Sequence, residues 1–181
     1  NVGVLITPFY NNLSLKEYTI SNKCDSDIIF GICTAMKYLE DNNMFHGNLK
    51  PSNILIDNNF HPILNNIQMK TKYTDEELKQ PELIINYFAP EILQGKEASI
   101  KSDVYSFGLI LKQMITGKIP YSNLNSKKEI IFAIINDKIE ISKKDPKFIS
   151  IINKCLQHDP EKRPTFNQLY DELETLFIGD S

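Results

Sequence analysis

The sequence predicts one mainly helical domain with a few short strands, and three observations lead there. Apolar residues recur at spacings of three and four through most of the chain, the pattern of helices with one buried face. Strand-like runs are brief. No repeat or low-complexity linker divides the 181 residues, a length at which a single domain buries roughly 70% of the surface its unfolded chain exposes.

Residues 2–7 form a short apolar run ended by Pro8, which reads as a buried strand. A short helix over 14–20 is expected, capped by Ser14. From Asp25 to Glu40, Ile28, Ile29, Ile32, Ala35, Met36 and Leu39 define a long amphipathic helix. Ile54-Leu55-Ile56 reads as a small strand and Asp57-Asn58-Asn59 as a turn. Residues 60–90 have weak periodicity and two prolines besides Pro90 itself closing the stretch, so a long, partly irregular segment is expected there; such segments are commonly functional. A helix starts at Lys101, with Val104, Phe107, Leu111, Met114 and Ile115 on its broad face and Gly117 as its stop. Further helices fit Lys127 to Asn136, Pro146 to Gln157 and Thr165 to Phe177. Ser126 and Thr165 are the expected N-caps, and Thr165 with Gln168 has the capping-box spacing.

Composition narrows the function. A net charge of -3 and a pI near 5.7 oppose a broad nucleic-acid footprint, and Arg163 is the only arginine. Cys24, Cys33 and Cys155 have no metal-ligand spacing, so free thiols in a reducing compartment are expected. The apolar runs are too short to span a membrane and residues 1–20 lack a signal-peptide pattern. A cytoplasmic location follows as the expectation.

Four separated motifs carry a resemblance. His46-Gly47-Asn48-Leu49-Lys50-Pro51-Ser52-Asn53 resembles the H-R-D-L-K-P-x-N catalytic loop of protein kinases, followed by a short strand. Ala89-Pro90-Glu91 matches the A-P-E that closes the family's activation segment. Asp103-Val104-Tyr105-Ser106-Phe107-Gly108 resembles the D-V-W-S-F-G of its central helix, and Asp159-Pro160-Glu161-Lys162-Arg163-Pro164-Thr165 the D-P-x-x-R-P-T near its end. The four occur in the family's order, and Ser106-Phe107-Gly108 leans toward the tyrosine-kinase-like Ser/Thr group. The resemblance implies the C-terminal helical lobe of the protein-kinase-like fold, with one hinge-side strand and short strands around the catalytic loop. Residues 1–10 would be the end of the small-lobe sheet and the hinge, with Thr7 as gatekeeper, and 11–181 the helical lobe. A small lobe is then expected upstream, and the face that meets it would be apolar.

By the same resemblance, the residues of phosphoryl transfer are altered. Asn48 stands where an aspartate accepts the proton of the attacking hydroxyl, assistance typically worth roughly 10²- to 10⁴-fold. Asn66, in Asn66-Ile67-Gln68, stands at the magnesium-binding aspartate of D-F-G, and a neutral carbonyl is a weaker partner for a hard cation. Gly47 replaces the arginine that pairs with a phosphorylated activation segment. Ile84 replaces a threonine that touches the catalytic aspartate. Lys50 and Asn53 are retained; Lys50 is a weak phosphate contact, and Asn53 is equally read as a bond to loop backbone. His46 reads as a packed structural histidine.

The scaffold residues are kept. Asp103 is expected to accept backbone N–H bonds from the catalytic loop, and Glu91 to pair, buried, with Arg163. The implied function is a catalytically impaired kinase-like lobe acting as a protein-binding or allosteric module, partnered by another protein or by the small lobe. The alternatives are a weakly active Ser/Thr kinase, and a nucleotide-binding domain without transfer in which Pro8 and Tyr10 offer hinge bonds and Leu55 floors the adenine. No resident metal or cofactor is expected; ATP and magnesium would require a complete small lobe. Candidate partner surfaces are residues 66–90 and the helix near Lys127, whose Ile130, Ile131, Ile134 and Ile135 are also read as core.

Overall fold

The computed structural model describes residues 13–21, 25–80, 84–136 and 146–178. The expected strand at 2–7, the hinge residues Thr7, Pro8 and Tyr10, and Cys24 lie outside the described residues. The described part is mostly helical, with one two-stranded antiparallel sheet.

Helix α1 (Leu15–Ser21) opens with the Ser14 carbonyl accepting from Glu17 and Tyr18, while the Glu17 carboxylate reaches back to the Ser14 N–H and hydroxyl, both at 2.8 Å. Helix α2 (Ser26–Asp41) is capped by the Asp25 carboxylate, which accepts from the Asp27 and Ile28 N–H groups and suits the positive end of the helix. Of its predicted stripe, Ile28, Ile29, Ile32, Met36 and Leu39 are buried and Ala35 is half-buried, and Cys33 is buried beside them.

After a 3-10 turn at Pro51–Asn53, β1 (Ile54–Ile56) pairs with β2 (Pro62–Leu64), Leu55 facing Ile63. One short helix, α3 (Asp75–Lys79), interrupts the segment expected to be irregular, and a second, α4 (Pro90–Leu93), begins at its end. Thr74 and Glu77 form a reciprocal capping box on α3, and Pro90 occupies the first turn of α4, where its missing N–H costs nothing.

Helix α5 (Ile100–Thr116) runs through the core, with Val104, Tyr105, Phe107, Leu109, Ile110 and Leu111 almost fully buried. It begins one residue before the expected Lys101, on a Ser99 cap, and ends at Gly117 in the left-handed conformation (φ 69°). Helix α7 (Pro146–Cys155) packs against it. A Cβ on Gly108 would stand 2.6 Å from the Cys155 Cβ, so this contact requires glycine. Helix α8 (Phe166–Ile178) packs on α2, and its capping box is formed: the Gln168 N–H donates to the Thr165 hydroxyl at 3.1 Å and the Thr165 N–H to Gln168 Oε1 at 2.9 Å.

Helix α6 (Lys127–Ile135), capped by Ser126, lies against α4. None of its four isoleucines is exposed, which favours the core reading over the surface one, and the exposed apolar residue of the helix is Phe132 instead. Ile134 is fully buried, Ile130 and Ile131 are half-buried against the core, and Phe132 is 58% exposed.

Candidate functional site

The site is assembled where the loop after α2 meets the N-terminal end of α5. Loop residues 46 and 47 have backbone N–H groups with no helix or strand to receive them, and Asp103 supplies the acceptor. Its carboxylate takes the His46 N–H at 2.6 Å and the Gly47 N–H at 3.1 Å, across 57 and 56 residues of sequence. Only 2% of Asp103 is exposed; burial pushes its pKa up to about 7, although both N–H bonds act to lower it. His46 is fully buried, and burial drives its ring down to about 4, so it is neutral and a packed residue as expected.

Asn53 ties the other end of the loop. Its side-chain N–H donates to the Asn48 carbonyl at 2.7 Å, and its own carbonyl accepts from the Asn65 N–H at 2.9 Å, joining the loop to the chain after β2. The backbone-bonding reading of Asn53 is thus the one in the structure. The Asn48 Oδ1 is buried and has no hydrogen-bond partner among the described residues. Asn48, Lys50, Ile84, Tyr87, Ser102 and Asp103 all border a small, partly open space of about 10 Å³. Lys50 is half-buried, which lowers the pKa of its ammonium. Asn66 is exposed, in the left-handed region (φ 59°), with its Oδ1 accepting from Gln68 Nε2 at 3.4 Å. Leu55 is half-buried at the middle of β1.

Below this loop, Arg163 and Glu91 form the expected buried pair. Arg163 Nη1 and Nη2 donate to the two Glu91 oxygens at 2.7 and 2.8 Å, a bidentate fork. The remaining N–H groups go to the carbonyls of Gln157 (2.7 Å), Lys101 (2.9 Å) and His158 (3.1 Å), so all five donors are used. The guanidinium also lies 4.9 Å from the centre of the Tyr105 ring. Burial acts to raise the Glu91 pKa, but the Arg163 bonds and charge outweigh it and leave the carboxyl below its ordinary value.

Three participants escaped the sequence reading. The Ser102 hydroxyl donates to Glu91 Oε1 at 2.8 Å, as a second support for the pair. Lys101 Nζ donates to the carbonyls of Arg163 (2.7 Å) and Pro164 (3.2 Å), fixing the strand of chain that carries the guanidinium. The Tyr73 hydroxyl donates to the Gly47 carbonyl at 3.1 Å, and its ring rests on Phe88 with centroids 4.8 Å apart. A Ser-x-x-Ser pattern at Ser99 and Ser102 was a readable helix-start signal; nothing local marks Tyr73.

Among the described residues no three His, Cys, Asp or Glu side chains gather as a metal site, and no helix is long and apolar enough to cross a membrane. Comparison with known proteins agrees with the arrangement. The family model for protein tyrosine and serine/threonine kinases matches residues 4–173. The chain is 31% identical to the tyrosine-protein kinase FRK of Homo sapiens, over 98% of this chain and 38% of that protein. It is 27% identical to the Raf homolog serine/threonine-protein kinase of Caenorhabditis elegans, over 93% of this chain and 23% of that one. It is also 27% identical to a protein kinase and PP2C-like domain-containing protein of Oryza sativa subsp. japonica, over 92% and 31%. The chain therefore spans well under half the length of these relatives. Its loop held by Asp103, its Glu91–Arg163 pair and a family match running through nearly all of its length place it in the protein tyrosine and serine/threonine kinase family.

Proposed function

We propose that this chain is the helical lobe of a catalytically impaired kinase domain of the tyrosine-kinase-like kind, acting through protein binding or allostery rather than phosphoryl transfer. The observation that carries this reading is a contrast within one site. Asn48 and Asn66 put amides where the reaction calls for carboxylates, while Asp103, Glu91 and Arg163 keep their full sets of bonds. An amide at 48 has no basicity to take a proton near neutral pH, and its carbonyl oxygen is turned into the protein.

The donor set around the loop does not suit magnesium. Asn53, Asn65 and Asn66 offer neutral amides, and the Asp103 carboxylate is engaged by loop N–H groups. Asp57 is likewise engaged, by the Asn59 and His61 N–H groups at 2.8 Å. The surfaces offered to a partner lie where apolar side chains face solvent: Ile67, Met69 and Ile84 on the segment after β2, and Phe132 on α6.

The test is transfer of the terminal phosphate of ATP by the full-length protein, with magnesium and with manganese. Turnover at the level of the buffer blank is expected, unchanged by Lys50→Ala. Turnover abolished by Lys50→Ala or Asn53→Ala would sink the proposal.

A further inference from the structure

We propose that residues 66–80 form a strap locked onto the His46–Lys50 loop, seated on Gly47 and latched by Tyr73, so that this segment has one closed position. The inference stands on geometry alone and holds whether or not the chain transfers phosphate.

The seat is backbone against backbone. The Gln68 and Met69 N–H groups both donate to the His46 carbonyl, at 2.9 and 3.3 Å. A Cβ on residue 47 would stand 2.9 Å from the Lys70 nitrogen and 3.3 Å from the Met69 nitrogen. These are backbone atoms that cannot swing aside, and Gly47 itself has φ +73°. Any side chain at 47 would therefore strain its own residue and lift the strap. The strap in turn accepts an unfavourable conformation to lie there, for Met69 has φ 47°, a region that unbranched apolar residues avoid.

The rest of the segment is tied along its length. The Tyr73 hydroxyl donates to the Gly47 carbonyl at 3.1 Å, so one residue both admits the strap and accepts its latch. The Lys70 ammonium lies 4.5 Å from the centre of the Tyr73 ring and pairs with Glu77, which also closes the Thr74 capping box on α3. The Thr71 carbonyl accepts from the Ala98 N–H at 2.7 Å, and the Gln80 carbonyl from Lys127 Nζ at 2.6 Å. Strap, loop and the start of α6 are thus joined by bonds whose partners are mostly main-chain atoms. Such a segment opens as a unit, and removing the latch lowers the cost of that opening without touching the core.

The experiment is hydrogen–deuterium exchange on the full-length protein and two variants. Tyr73→Phe keeps the ring on Phe88 and removes only the hydroxyl; exchange over residues 68–80 should quicken about five- to tenfold. Gly47→Ala should quicken it at least tenfold, with α2 and α5 unchanged in both variants. If Gly47→Ala does not fold, Tyr73→Phe decides alone. Exchange over 68–80 within twofold of the unaltered protein in Tyr73→Phe would overturn the proposal. So would an equal acceleration across the whole domain, or a strap that already exchanges at the rate of an unstructured chain.

Discussion

Replacing Arg163 by methionine removes the centre of a buried polar cluster in which all five guanidinium donors are used. Glu91, 5% exposed, would keep the Ser102 hydroxyl and lose both guanidinium bonds. Breaking a buried pair in this way costs about 3 to 5 kcal/mol. The carbonyls of Gln157, Lys101 and His158 lose a donor as well, which sets the total near the upper end of that range. At about 2 to 4 °C per kcal/mol for a domain of this size, the melting temperature should fall by roughly 10 to 20 °C. The assay is thermal unfolding of the full-length protein at neutral pH, with Glu91→Leu and the double variant alongside. Removing both partners leaves no stranded charge, so the double variant should be at least about 2 kcal/mol more stable than the sum of the single losses implies. Arg163→Lys should fall between, because an ammonium has three donors for five positions. A loss under about 3 °C for Arg163→Met, or single losses that merely add, would refute the reasoning.

Other outcomes follow from the same contacts. Between about pH 4 and 6.5 the unfolded chain binds a proton at His46 that the native site refuses, while native Asp103 holds one that the unfolded chain has released, and the two effects oppose each other. Asp103→Asn removes the second effect, so the variant should lose stability relative to the unaltered protein by about 1.4 kcal/mol per unit as pH drops through that window. Parallel stability curves in urea would contradict this. Burial raises the Cys33 thiol to about 12 and pushes Cys155 higher still. Both should therefore resist iodoacetamide in the folded protein and react on denaturation, as peptide mapping would show; native labelling at either would be inconsistent with the packing. Thr165→Ala should cost about 1 kcal/mol through the lost cap of α8, read as a melting shift of roughly 2 to 4 °C, and an unchanged midpoint would remove the cap from the account.

Much of this fold was legible because its signals are local. The Ile28, Ile29, Ile32 and Met36 stripe, the Gly117 stop and the Thr165–Gln168 box each lie within a few residues of what they specify. Strand β2 was not read, since Pro62-Ile63-Leu64 has no alternation and all three residues are half-buried. Helix α3 carried a plain Thr-x-x-Glu signal at Thr74 and Glu77, but with no buried side chain it has no apolar stripe to find. At the site, Asp103 and the Glu91–Arg163 pair came from motif resemblance, since their partners are 56 to 72 residues away and no spacing rule reaches that far. Tyr73 and the close approach at Gly47 were invisible for the same reason: a tyrosine 26 residues on gives no hint that it will return to that carbonyl.

The span between Glu91 and Arg163 has a consequence during synthesis. Seventy-two residues separate them, and at roughly 5 to 20 residues per second the acid leaves the ribosome about 4 to 14 seconds before its partner. Through the later part of that interval α5 (Ile100–Thr116) is present but the carboxylate packed beside it is unmatched, and dry packing around it is opposed. The nascent lobe should therefore stay loose and accessible to chaperones until Arg163 emerges. In this chain the core can close only once Arg163, and the buried Phe166, Leu169 and Leu173 that follow it on α8, have emerged.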